Sequence, residues 1–203
     1  PTLMQTITAQ SATWKWQGFT IGYQHAGPTQ LDDQSDAPAV VMIHGFGASS
    51  IHWRKNMPEL AESCQVYAID LIGYGKSDKP TPGDPLDYTF ETWGEQLLAF
   101  CYEVVGKPAF LIANSIGCVV AMQAAVSDPS WIRGVALLDC SLRLLHDRKR
   151  QTLPWYRSAP TPYIQKILGY RPLIKLFINQ LAKPKAVKNI LSQAYGRKEE
   201  VPA

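Results

Sequence analysis

Four short apolar runs alternate with helical stretches between residues 39 and 138, and this alternation limits the folds open to the chain. Ala39-Val40-Val41-Met42-Ile43 is apolar without interruption, as a strand buried on both faces must be. Residues 65–69, Ala109-Phe110-Leu111-Ile112-Ala113 and residues 133–138 repeat the pattern. Between them lie helical stretches: residues 53–62, residues 89–105 with Phe90, Trp93, Leu97, Phe100, Cys101 and Val104 at helical spacing, and residues 116–127, stopped by Asp128-Pro129. Strands that alternate with helices of this length need right-handed crossovers and a mainly parallel sheet with helices on its faces. Upstream, residues 11–17 and 19–25 alternate around Trp14, Trp16, Ile21 and Tyr23, with Gly18 between them, and read as an antiparallel hairpin.

The chain has 203 residues, 46% apolar and 18% charged, enough for a real core. Its formal charge of +3 argues against a nucleic-acid partner. That charge is unevenly spread. Residues 1–142 carry 7 Lys/Arg against 14 Asp/Glu, whereas residues 143–203 carry 13 against 3. The strand pattern stops at the same place, which divides the chain into a 1–142 core part and a 143–203 basic helical segment. Cys64, Cys101, Cys118 and Cys140 lie in or beside apolar runs with no C-x-x-C spacing, which favours reduced thiols. The N-terminal residues lack a signal-peptide pattern, and the longest apolar stretch is broken by Asn114, Ser115 and Gln123. A cytoplasmic protein is expected.

The chemistry concentrates at Ala113-Asn114-Ser115-Ile116-Gly117. A buried strand runs into small-x-Ser-x-Gly and a helix follows at once, the context of a nucleophile elbow. A sharp turn lifts the serine hydroxyl to its tip, and the flanking positions must be small because neighbouring backbone crowds them; Ala113 and Gly117 are small. The helix start behind Ser115 offers unpaired N–H groups where negative charge would develop. His44-Gly45-Phe46-Gly47 follows the first buried strand. Its glycines permit a tight turn, and the Phe46 and Ile116 N–H groups are the two candidate oxyanion donors. His44 precedes the serine beside that turn and is read as structural. Asp70-Leu71-Ile72-Gly73-Tyr74-Gly75-Lys76-Ser77-Asp78 is read as a loop-shaping element at a strand end. Gly45, Gly47 and an acidic residue about 20 positions on at Asp70 also partly mimic a dinucleotide-binding fingerprint, but the third glycine is missing.

These blocks, in this order and spacing, resemble the α/β-hydrolase superfamily. More narrowly, the Asn114-Ser115-Ile116-Gly117 elbow and the region of Trp53 resemble pheophytinase-like and chlorophyll-dephytylase-like esterases. The resemblance implies an α/β-hydrolase fold for residues 10–142 and a helical cap for the remainder. It implies Ser115 as nucleophile, an oxyanion hole at Phe46 and Ile116, no cofactor and no metal. The substrate would be a small hydrophobic ester, phytyl-ester-like or lipid-like. A carbon–carbon bond hydrolase, and a non-catalytic lipid or pigment carrier on the same scaffold, are the alternatives. Dehalogenases and epoxide hydrolases place Asp at the nucleophile, so Ser115 argues against both.

The superfamily order is Ser, then Asp or Glu, then His. Only His146 follows Ser115, and it opens the basic segment. The expectation is that the C-terminal third of the core, with acid and base, lies beyond Ala203. A degenerate relative, or Asp139 as acid with His146 as base, are the other readings. Residues 160–190 interleave apolar side chains with lysines. They read as a cap helix over the cleft, with peripheral membrane contact as the alternative. The sequence leaves the oligomeric state open.

Overall fold

The computed structural model describes residues 8–28, 37–83 and 85–140. Their sheet contains six strands in the order β1-β2-β4-β3-β5-β6: β1 Gln10–Trp16, β2 Phe19–Ala26, β3 Ala39–Ile43, β4 Gln65–Ile69, β5 Ala109–Asn114 and β6 Ile132–Leu138. β1 and β2 form the expected hairpin, turned at Gln17 and Gly18, both with positive φ. β2 pairs antiparallel with β4, and every further pairing is parallel. The strand limits read from the apolar runs hold to within one residue.

All five residues of β3 are buried, because both faces of the sheet are covered. Val41 and Ile43 join Ile69, Leu111 and Ala113 on the face packed by α2 (Phe90–Phe100) and α3 (Ile116–Ser127). Val40 and Met42 join Val66, Ala68, Trp53 and Met57 on the opposite face, against α1 (Met57–Leu60).

Two helices differ from expectation. The stretch read over residues 53–62 is a 3-10 turn, Ser50–Trp53, followed by the short α1. Pro58 has no N–H for the carbonyl four residues back, so a continuous helix cannot pass through it, while it is tolerated in the first turn of α1. The stretch read over residues 89–105 is α-helical only to Phe100. Thr89 caps it, its hydroxyl accepting from the Thr92 N–H at 3.1 Å. Residues Cys101–Val105 then widen into a π turn, closed by Gly106 N–H donating to Cys101 O at 2.9 Å. β6 is the third difference. Read as a buried strand, it has Val135, Leu137 and Leu138 exposed, residues that point to both faces of the sheet, so neither face of β6 is fully covered among the described residues.

Candidate active site

Parallel strands bring the loops after β3, β4, β5 and β6 to one carboxyl edge, where open α/β sheets bind their ligands. Ser115 sits at the β5–α3 junction with φ 55° and ψ −119°. A non-glycine residue there carries backbone strain of about 1–3 kcal/mol, which the surroundings must hold in place. They do so from several sides. The Ser115 N–H donates to Leu138 O of β6 at 3.0 Å, and Ser115 O accepts from the Cys118 N–H at 3.1 Å. The Cys118 Sγ lies 3.2 Å from Ala113 O and 3.3 Å from Leu138 O.

The small residues are small for a measurable reason. A Cβ on Gly117 would stand 2.6 Å from His44 O and 2.8 Å from Ile43 O. Ala113 is fully buried. A Cβ on Gly45 would stand 3.0 Å from Asn114 Oδ1 and 3.1 Å from the Ser115 Cβ. The loop after β3 is therefore pressed against the elbow, and it turns tightly, with Gly47 at φ 69° and the Ala48 N–H donating to Gly45 O.

Three polar groups at this junction are free. Among the described residues, neither the Phe46 N–H nor the Ile116 N–H donates to any acceptor, and the Ser115 hydroxyl makes no hydrogen bond. The Ile116 N–H is one of the orphan donors at the start of α3. The Phe46 ring is 79% exposed and lies edge-on to Tyr74. An electrophile reaching the Ser115 Oγ would meet a hydroxyl, adjacent unpaired donors and a rim of aromatic surface.

His44 points elsewhere. It is buried, its Nδ1 lies 2.8 Å from Gly45 O, and its Nε2 accepts from the Leu71 N–H at 3.1 Å. Those partners assign the proton to Nδ1. Burial pushes its pKa below the ordinary value, so the ring is neutral and both nitrogens are committed. Asp70 is buried too. Its Oδ1 accepts from the Ser50 N–H and its Oδ2 from the Lys76 N–H, while its carbonyl accepts from the Ser77 hydroxyl at 2.7 Å. At 1% exposure, with both oxygens turned onto loop N–H groups, the carboxylate is out of reach of a ribose, which argues against the dinucleotide reading. Asp139 follows β6 directly, exposed and at φ 48°, one residue beyond the Leu138 carbonyl that holds Ser115. His146 and residues 160–190 lie outside the described residues. So does the rest of the 143–203 segment.

Gln96 was not singled out in the sequence. It is fully buried in α2, its Oε1 accepting from the Ile72 N–H at 3.0 Å, while the Trp93 Nε1–H donates to Ile72 O at 3.0 Å. Together they clamp the loop after β4 to α2. The only signal was a polar residue three positions after Trp93 on an apolar helix face. Among the described residues, no group of His, Cys, Asp and Glu is arranged to hold a metal, and no helix is long and apolar enough to cross a membrane.

Residues 38–161 match the family described as alpha/beta hydrolase fold, and the chain belongs to that family. It is 30% identical over 162 residues to "Pheophytinase, chloroplastic" of Arabidopsis thaliana, covering 66% of this chain and 32% of that protein. It is 36% identical over 115 residues to "Probable lysophospholipase BODYGUARD 1" of Arabidopsis thaliana, covering 54% of this chain and 24% of that protein. Among solved structures, a membrane phospholipase A described as a bacterial virulence factor superposes with a TM-score of 0.58 at 27% identity, covering 65% of this chain and 40% of that one. A haloalkane dehalogenase from Bradyrhizobium elkani gives 0.57 at 32% identity, covering 65% and 42%. The chain thus spans about a quarter to a third of the length of these two curated relatives.

Proposed function

We propose that the protein is a serine hydrolase of a hydrophobic carboxylic ester, acting through an acyl-enzyme on Ser115. One observation carries the reading: a strained, unpartnered serine at a strand–helix turn, beside two backbone N–H groups that nothing in the described fold uses. Ser115 Oγ attacks the ester carbonyl, and the tetrahedral oxyanion takes hydrogen bonds from the Phe46 and Ile116 N–H groups. Collapse expels the alcohol, and water releases the acid. A hydroxyl nucleophile suits acyl transfer, whereas displacement of a halide calls for a carboxylate, which the elbow lacks.

None of the three described histidines is hydrogen-bonded to Ser115, His52 lying edge-on to Trp53 in the Ser50–Trp53 turn, so the proton acceptor is sought first outside the described residues. His44 has both nitrogens engaged, and His25 belongs to β2 at the far side of the sheet order. His146 with Asp139 as acid is the pair to test first. The names of the pheophytinase and lysophospholipase relatives support a greasy ester as substrate.

The test is labelling of the intact protein with a fluorophosphonate, mapped by mass spectrometry, beside hydrolysis of p-nitrophenyl esters of increasing chain length. The expected result is a single adduct on Ser115, lost in Ser115→Ala, and turnover that rises with acyl length. No adduct, together with saturable binding of a lipid or pigment, would replace the enzyme with a carrier. Anionic and neutral vesicles at low and high salt test membrane contact by residues 160–190. Binding to anionic vesicles that salt abolishes would assign them a membrane role, and no binding would leave them the cap role alone.

A further inference from the structure

Two of the four cysteines are neighbours, and they flank the nucleophile. Cys118 stands in the first turn of α3, three residues after Ser115, fully buried, with its Sγ against the Ala113 and Leu138 carbonyls. Cys140 comes two residues after Leu138. The left-handed turn at Asp139 folds the chain back there, so that Cys140 packs, half-buried, against the core cluster containing Cys118. Burial first, and the nearby Cys140 second, raise the Cys118 thiol to about 11. The other two cysteines have no such partner: Cys101 is buried elsewhere in the core and Cys64 lies beside Ser63.

We propose that Cys118 and Cys140 form a regulatory disulfide that slows acylation of Ser115. The part of this that concerns Ser115 rests on the hydrolase reading; the disulfide itself does not. The oxidant is a small disulfide such as glutathione disulfide. The half-exposed Cys140, as thiolate, attacks one sulfur of the oxidant and releases one glutathione thiolate. Cys118 then loses its proton to solvent, and its thiolate attacks the Cys140 sulfur of the mixed disulfide. The protein S–S bond forms, a second glutathione leaves, and both departing thiolates take up protons. Two electrons pass from the protein thiols to one glutathione disulfide, giving two glutathiones.

The consequence follows from what surrounds Cys118. Its S–H lies against the two carbonyls that bracket the elbow, and one of them, Leu138 O, also holds the Ser115 N–H. A disulfide removes that S–H and ties the β6 exit to α3, a bond that needs the two Cα atoms brought to about 4.4–6.8 Å. The strained Ser115 backbone shifts with it. The second step is slow at neutral pH, because only the thiolate attacks.

The experiment uses the intact protein with Cys64→Ser, to silence the remaining accessible thiol. The sample is incubated with glutathione disulfide between pH 7 and 9 and then mapped under non-reducing conditions. A Cys118–Cys140 disulfide is expected, forming faster as pH rises. In the Cys118→Ser variant, glutathione should stay trapped on Cys140. Fluorophosphonate labelling of Ser115 should slow about tenfold or more in the oxidised protein, recover with dithiothreitol, and be insensitive to oxidant in Cys140→Ser. Glutathione retained on Cys140 with Cys118 present would overturn the pair. A disulfide that leaves labelling unchanged would overturn its control over Ser115. If the reduced protein never labels, the hydrolase reading and the control of Ser115 fail together, and the non-reducing map still decides whether the disulfide forms.

Discussion

The turns after β4 and β5 leave the same edge of one sheet, and they treat their polar atoms in opposite ways. After β4, Asp70 gives one carboxylate oxygen to Ser50 N–H and the other to Lys76 N–H, and Ser77 bridges Gly22 N–H to Asp70 O. After β5, the Ser115 hydroxyl and the Ile116 N–H bond to nothing in the described fold. Ser115 and Ile116 are half-exposed, so the second turn holds its unpartnered polar groups where a ligand can reach them, whereas Asp70 is buried among its partners. The contrast separates an acidic residue that builds a loop from a serine that can react.

The largest expected effect breaks the contrast at its open end. Ser115→Ala should lower ester turnover by about 10⁴-fold or more, with thermal unfolding unchanged or slightly improved, because the hydroxyl has no bond to lose. Stopped or steady-state ester assays and calorimetry check the two halves. Turnover that survives the substitution would move the nucleophile elsewhere.

Gly117→Val tests the elbow as packing. The new Cβ would collide with the His44 and Ile43 carbonyls, which are backbone and cannot swing aside. A loss of about 3–5 kcal/mol is expected in denaturant unfolding. A loss below about 1 kcal/mol would mean that β3 and α3 can separate cheaply. Asp70→Ala tests the saturated turn. Two loop N–H groups lose their charged acceptor, at a cost of about 2–3 kcal/mol. Because no bond runs from Asp70 to Ser115, the fluorophosphonate labelling rate of the folded variant should fall far less than its stability.

The same contrast explains what the sequence could disclose. β3, β4, β5 and α3 were legible because residues buried on two faces leave uninterrupted apolar runs, and the small residues at Ala113 and Gly117 record a crowding that is local to the turn. The break at Pro58 was equally local, but it was outweighed by the helical pattern around it. The π turn at Cys101–Val105 was not legible, since its i to i+5 bonding keeps apolar residues on nearly the same face as an α-helix would. Gln96 was hidden because its partner is a backbone N–H 24 residues away, and backbone leaves no mark in the side-chain sequence. The exposure of β6 depends on what covers the two faces of the sheet there, and an apolar run carries no record of what packs on it. Asp139 and Cys140 acquire their interest only from the register that sets Leu138 beside Asn114 and Ser115.

The smallest effect lies where the two kinds of turn meet. His44 belongs to the saturated kind, with Nδ1 against Gly45 O and Nε2 accepting from Leu71 N–H, yet it stands two residues before Phe46, whose N–H is free. Burial, the largest cause, lowers its pKa from the ordinary 6.5. The unfolded chain therefore takes up a proton at a pH where the folded chain still refuses it. Between 6.5 and the lower folded value the unfolded state binds more protons, and stability falls as pH falls. A protonated ring would also turn Nε2 into a donor facing the Leu71 N–H, so the loop after β4 would release the loop after β3. His52 is lowered too, by burial first and then by Arg54, and contributes a slope of the same sign. Chemical denaturation from pH 7.5 to 5 should show declining stability, a shallower decline in His52→Asn, and the shallowest in a doubly substituted His44→Gln, His52→Asn protein. Stability that stays flat or rises on acidification would place the His44 proton on a ring that the fold does not hold neutral, and the bond to Leu71 would then have no part in seating the Phe46 N–H beside Ser115.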